Sequence, residues 1–283
     1  MAKRLPSSPE RPGASPPALE RAILALQMQR PDEAERLASE VLKANRGNIA
    51  AAQILGRALL LQNRIDEAIV PLQKAARRSE DPVTETLLAN ALASAGRSGE
   101  AIEQLRLAIA RRPPYPPAFT ELGGQLNKLG RIEESIAVFE SGLALAPGFT
   151  ELLMGLAHVH VKINDRAKAR ALFVQAQAAE PRRLDISSAL AAVMALDGEY
   201  AAAADLYRRV LAQRPDDALI QYYLGKCLLE LGDRNAGEAA LRAAASSGLQ
   251  AAGAAIAALS AAPHGRFFLR RSAADNFLRG KPG

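Results

Sequence analysis

Tryptophan is absent from this 283-residue sequence, and aromatic residues together make only 4% of it. β-Branched residues are also few. Sandwiches, barrels and doubly wound sheets build their cores from β-branched and aromatic side chains, so this composition excludes those classes. There is one cysteine, Cys227, so no disulfide can form within the chain. Three histidines beside that lone cysteine leave little from which to build a zinc site. No stretch of eighteen uncharged apolar residues is present, and Ala251 to Ala262 is too short to span a bilayer. The first seventeen residues, MAKRLPSSPERPGASPP, contain no apolar core and do not read as a secretory signal. A reduced, cytoplasmic location is the expectation.

Alanine is what the chain has in excess, 59 residues or about 21%. With abundant leucine, that favours helix. The formal charge of +6 is carried by the two ends. Residues 1–14 hold Lys3, Arg4 and Arg11 against Glu10. Residues 264–283 hold Arg266, Arg270, Arg271, Arg279 and Lys281 against Asp275. The body between them, residues 15–263, has 28 basic and 28 acidic residues. A neutral body has no excess charge with which to displace counterions from a phosphate backbone, so nucleic-acid binding through it is not expected.

The dominant signal is self-similarity. Small residues recur at Ala34, Ala68, Ala101, Ser135, Ala169, Ala203 and Gly237, with steps of 34, 33, 34, 34, 34 and 34. Twelve residues before each lies a second small residue: Ala22, Gly56, Ala89, Gly123, Ala157, Ala191 and Gly225. Twelve residues after, later units carry Pro113, Pro147, Pro181 and Pro215, while Arg46 and Glu80 stand there in earlier ones. The pattern predicts a helical hairpin repeated seven times. Its turn places Gly96, Gly130, Gly198 and Gly232, or Asn63 and Asn164, where left-handed backbone is wanted. The small residues allow the two helices to approach, and large ones such as Leu122, Leu126 and Phe139 fill the remaining space. The second helix ends before its proline.

These residues resemble the tetratricopeptide repeat. Unit four supplies Leu122, Gly123, Leu126, Gly130, Phe139 and Pro147. Unit five supplies Leu156, Ala157, Asn164, Ala169, Phe173, Ala176 and Pro181, and unit six Leu190, Ala191, Gly198, Ala203, Tyr207 and Pro215. Units begin near residues 15, 49, 82, 116, 150, 184 and 218. The outermost units depart most, with Ala38 in unit one and Gly237 in mid-helix in unit seven. The resemblance implies an all-α, right-handed solenoid of seven helix-turn-helix units over 15–248. A disordered basic tail at 1–14 would precede it. A cap helix at 249–263 and a basic Arg/Phe tail at 264–283 would follow.

The resemblance also implies a concave groove, lined by the first helices, that holds a peptide or partner segment. Carried onto this sequence, its lining is Gln53, Arg57, Thr86, Asn90, Thr120, Asn127, Lys128, Met154, His158, Lys162, Ser188, Tyr222 and Lys226. Arg57, Lys128, Lys162 and Lys226 could hold the carboxylates of an acidic peptide by charge-assisted bonds. The lysine, asparagine and arginine clamp of chaperone-binding members cannot be assembled here.

No catalytic constellation is present: no phosphate loop, no dinucleotide-binding glycine motif and no nucleophile elbow. His158 and His160 are two apart on a helix, so they point about 200° from one another and cannot chelate one metal. His160 is expected in the core, bonded to a carbonyl, and Cys227 is expected as a small buried hydrophobe. The function expected is therefore a non-enzymatic protein-interaction scaffold without a cofactor. Its alternative is an accessory module for a separately encoded transferase or hydroxylase. That module would dock through Phe267, Phe268, Arg270, Arg271 and Phe277 in the tail, where Ser272 and Asp275 could cap a short helix to Leu278. Membrane contact through this one short basic segment is not expected. The phenylalanines could instead fold back onto the 249–262 helix.

Overall fold

The computed structural model describes residues 17–265 and 271–279. Those residues form sixteen α-helices and no strand, the all-α class expected from composition. They fall into two compact units that divide between Arg131 and Ile132.

The first unit contains α1 (Ala18–Gln27), α2 (Pro31–Ala44), α3 (Ile49–Leu61), α4 (Ile65–Ala76), α5 (Pro82–Ser94), α6 (Ser98–Ala110) and α7 (Pro116–Lys128). Each helix packs on its neighbour in sequence, and the first helices α1, α3, α5 and α7 also touch one another in series. The second unit contains α8 (Ile132–Leu145), α9 (Thr150–Lys162), α10 (Arg166–Ala179), α11 (Leu184–Leu196), α12 (Tyr200–Leu211), α13 (Ala218–Glu230), α14 (Arg234–Ala245), α15 (Leu249–Ala261) and α16 (Arg271–Leu278). There α11, α13 and α15 likewise meet in series, and α16 packs on α14 and α15.

The turns inside the hairpins are built alike. Gln29, Asn63, Gly96, Gly130, Asn164, Gly198 and Gly232 all have positive φ, between 57° and 81°. The residue after each donates its N–H five residues back, as from Arg64 to the Leu59 carbonyl (2.9 Å) and from Asp233 to the Leu228 carbonyl (3.0 Å). This closes the end of the first helix and satisfies a carbonyl the helix would otherwise leave open. Gln29 takes the same backbone without being glycine or asparagine.

The small residues are where the hairpins close. Ala22, Ala34, Ala68, Ala89, Ala101, Ala157, Ala169, Ala191, Ala203 and Ser135 are fully buried. At Gly56 an added Cβ would lie 2.6 Å from Leu72 Cγ. Unit seven has glycine at both small positions. A Cβ on Gly225 would lie 2.7 Å from Leu241 Cγ and 3.1 Å from the Gly237 carbonyl oxygen; one on Gly237 would meet Leu229 at 2.9 Å. The large residues four places on, Leu72, Leu105, Phe139, Phe173, Tyr207 and Leu241, are all buried.

First helices start at residues that cap them in three cases. Asn48 accepts from the Ala51 N–H, Asp81 from Val83 and Thr84, and Asp217 from Ile220. The corresponding Tyr115, Phe149 and Arg183 make no side-chain cap. Ion pairs also tie helices together, both within a hairpin and between neighbours. Arg111, at the end of α6, reaches the buried Glu85 of α5 (2.8 Å) and Glu80 (3.0 Å), and Arg183 joins Glu151 of α9 (2.8 Å) to Asp185 (2.7 Å).

At the C-terminal end the helix after unit seven has a partner in α16. Phe277 and Leu278 of α16 pack on a cluster of Leu229, Leu241, Ala255, Ala258 and Leu259. The Arg242 guanidinium lies 4.3 Å from the centre of the Phe277 ring, and Ala274 is buried. Arg242 also faces Glu238, which is buried between it and Arg234 (2.9 Å). The helix expected to run to Leu278 is present as α16, and the capping role expected of Ser272 lies outside what is described. Phe267, Phe268 and Arg270, and the N-terminal segment through residue 16, lie outside the described residues.

Candidate functional site

All thirteen residues carried over as groove lining stand on first helices. In the first unit, three of them are drawn into the structure of the wall itself. The Gln53 amide donates to Asp81 Oδ2 (2.6 Å) and Thr84 Oγ1 (2.9 Å), tying α3 to the start of α5. Thr86 is buried, and its hydroxyl donates back to the Pro82 carbonyl (2.7 Å). The Thr120 hydroxyl is shielded from solvent and finds no hydrogen-bond partner.

The others form a polar surface. Arg57 on α3 is exposed and has no carboxylate partner among the described residues. It lies close enough to Tyr115 to favour that phenol's ionised form, against burial, which raises its pKa. On α7, burial pushes the Glu121 carboxyl above the usual range. A hydrogen bond from Asn90 of α5 and the positive charge of Lys128 oppose that shift. Arg57, Asn90, Tyr115, Glu121 and Lys128 thus form one mixed patch of two cations, an amide, a phenol and a partly desolvated acid. Asn127 is half-buried on the last turn of α7.

In the second unit, His158 is exposed on α9. Its Nδ1 lies 2.7 Å from the Met154 carbonyl, and its ring stands edge-on to Phe173 at 5.3 Å. A carbonyl can only accept, so Nδ1 carries the proton and a neutral ring presents Nε2 outward as an acceptor. Met154 is half-buried and packs towards Leu153, Phe173 and Ile186. Lys162 is exposed at the end of α9, and the Ser188 hydroxyl donates to the Leu184 carbonyl (2.8 Å). On α13, Lys226 lies 5.8 Å from the centre of the Tyr222 ring, and Tyr222 meets Tyr223 edge-on at 5.4 Å. Tyr223 in turn stacks on the buried Tyr207 at 5.9 Å.

His160 is buried, as its register required. Its neighbour is the Asp165 carboxylate at 3.3 Å rather than a carbonyl, and the alignment falls short of a hydrogen bond. Cys227 is buried, and burial pushes its thiol up to about 11, far from a reactive thiolate at neutral pH. Among the described residues no three His, Cys, Asp or Glu side chains gather as a metal site, and no helix is long and apolar enough to cross a membrane.

Tyr115 was not among the residues read from the sequence, because it lies in the Pro-rich connection rather than on a first helix. Its signal was the register: it stands one repeat on from Asp81. Of the tail residues, Arg271 opens α16, and Phe277 is engaged with α13, α14 and α15 as described.

Family models described as "Tetratricopeptide repeat" match residues 19–82 and 86–148, and residues 126–193 and 194–262. The TPR repeat-containing protein YpiA of Bacillus subtilis (strain 168) is 24% identical over 185 residues, which are 65% of this chain and 44% of that protein. The chain thus spans less than half the length of that relative. Among solved structures, the Cut9–Hcn1 hetero-tetramer of the APC/C aligns with a TM-score of 0.66 at 17% identity, over 85% of this chain and 52% of that one. PilF of Pseudomonas aeruginosa aligns with a TM-score of 0.61 at 20% identity, over 68% of this chain and 88% of that one. A tetratricopeptide repeat protein from Parabacteroides merdae ATCC 43184 aligns at 0.60 and 14% identity, over 93% and 96%. Likeness at these identities is likeness of fold.

Proposed function

This chain belongs to the tetratricopeptide repeat family, and we propose that it is a non-enzymatic scaffold binding a protein or peptide segment along its first helices. The observation that carries this reading is the patch on α3, α5 and α7. Arg57 is exposed with no carboxylate partner, beside Tyr115, Asn90, Glu121 and Lys128. An unpaired guanidinium beside an amide and a phenol suits a carboxylate and backbone carbonyls of an extended segment, through charge-assisted and neutral hydrogen bonds. In the second unit His158, Lys162, Tyr222 and Lys226 offer acceptor, cation and ring faces of the same kind. An acidic segment is the favoured partner class.

The test is charge reversal at Arg57, Lys128 and Lys162 together, with capture of partners from native lysate. All three side chains are exposed or on helix ends, so helical circular dichroism should be retained while the captured proteins are lost. Undiminished capture would move the binding surface away from the first helices.

A further inference from the structure

A cleft of about 680 Å³ opens in the first unit between the second helices α2 and α4, with α3 as its floor. The sequence explains why it is there. Pro71 of α4 is in register with Gln104, Val138, Leu172 and Leu206 of later units. Leu172 and Leu206 pack against the buried cluster around Phe173. Where those helices bring long side chains, α4 brings a compact ring. Leu55 and Leu59 are left as an apolar floor, and Val70 at the wall is 52% exposed. Pro71 also has no N–H to give to the Glu67 carbonyl one turn before it, so that acceptor is free within α4.

The charges around the cleft are unevenly matched. At one end Arg64 takes up both nearby carboxylates, Glu35 at 2.7 Å and Glu67 at 2.6 Å. At the other stand Arg46, Lys74 and Arg78, none of them with a carboxylate partner among the described residues. The Arg78 guanidinium is held at this mouth by donating to the Arg46 carbonyl (3.2 Å). One end is therefore electrically closed and the other carries three uncompensated cations.

We propose that this cleft binds a short extended segment of a partner protein, apolar along its length and acidic at the end that meets Arg46, Lys74 and Arg78. The chain's own N-terminal segment is the wrong occupant, since residues 1–14 carry net positive charge. From Glu67 to Arg78 the wall is about 16 Å long at 1.5 Å per residue, which matches about five residues of extended chain. This site is separate from the first-helix patch.

The experiment uses fluorescence anisotropy of the full chain with two labelled octapeptides, one of leucines ending in glutamates and one of leucines ending in lysines. The acidic probe should bind saturably and the basic one should not. Lys74→Glu with Arg78→Glu should weaken binding at least about tenfold. Pro71→Leu, which installs the side chain used by units five and six, should do the same. Leucine is the better helix residue, so the fold should be retained and its melting point unchanged or raised. If Pro71→Leu does not fold, the charge variant still decides, because Lys74 and Arg78 are exposed. Arg209→Glu, an exposed charge reversal on α12 of the second unit, should leave binding of the probe unchanged. Absence of saturable binding, equal binding of the two probes, retained binding in the folded cleft variants, or loss in Arg209→Glu would each overturn the proposal.

Discussion

Replacing Gly225 by alanine tests the close approach of α13 and α14 in the most direct way. A single methyl group there would lie 2.7 Å from Leu241 Cγ and 3.1 Å from the Gly237 carbonyl oxygen. Leu241 could turn away only by giving up its fully buried place, and the carbonyl belongs to helix backbone. The two helices must therefore separate. Overpacking of this kind costs about 1–3 kcal/mol. Against it stands the gain from alanine over glycine inside a helix, about 1 kcal/mol. The net effect is a loss of roughly 0–2 kcal/mol, an ambiguous range alone. Gly253→Ala resolves it. Gly253 lies inside α15 in the same unit, and a Cβ there would meet nothing within 4 Å, so alanine should stabilise by about 1 kcal/mol. The two variants should differ by about 1–3 kcal/mol, or roughly 0.5–2 M in urea midpoint. The assay is built into the chain. With no tryptophan, intrinsic fluorescence comes from five tyrosines, of which Tyr200, Tyr207, Tyr222 and Tyr223 are in the second unit. Tyrosine emission thus follows the unit that holds the substitution. Equal shifts in the same direction for the two variants would refute the reasoning.

Asp81→Ala removes the acceptor for the Val83 and Thr84 N–H groups and for the Gln53 amide, and should cost about 1–2 kcal/mol in urea unfolding followed by circular dichroism. Phe277→Ala should lower the tyrosine-monitored midpoint by about 1–2 kcal/mol, since a half-buried ring and its contact with Arg242 are both lost; an unchanged midpoint would mean that α16 does not cover the end of the second unit in solution. Glu121 has a raised pKa because burial disfavours its charge. Its protonation stabilises the fold at low pH, and that stabilisation is lost as pH rises from the ordinary carboxylate range through the raised value. Glu121→Gln should therefore be relatively more stable than the parent at pH 7.5 than at pH 4.5. A pH-independent difference between the two would place the carboxylate in free solvent.

The hairpins were legible because two small residues, one large residue and one turn residue recur at fixed spacing, and each does a job that few side chains can do. Gly56 and Gly225 could be read in advance since nothing larger fits between their helices. Gln29 could not, because its left-handed backbone is imposed by the turn and the side chain gives no sign of it. The polar surface was harder for a related reason. Register places Gln53, Thr86 and Ser188 on first helices, yet whether a hydroxyl or amide faces a ligand or its own backbone depends on distances of a few tenths of an ångström. Gln53 turned towards Asp81, and Thr86 and Ser188 towards carbonyls one turn back. Tyr115 reached the patch from a connection that periodicity does not describe. Pro71 breaks no pattern of apolar periodicity, and the space it leaves becomes visible only when its helix is set beside α2.

The turn that closes every hairpin has a consequence for how such a chain can change in length. Its left-handed residues at positions 29, 63, 96, 130, 164, 198 and 232 are followed in each case by the same backbone bond. Any two of these turns share one backbone. Recombination between the codons of two turns would delete or duplicate a whole number of hairpins and leave the same turn at the junction. Gains or losses of other lengths would strand a small residue opposite a large one. Length change by unequal crossover therefore preserves the pattern only in steps of one repeat, and the 33-residue spacing between Asn63 and Gly96 is the one step among these turns that departs from 34.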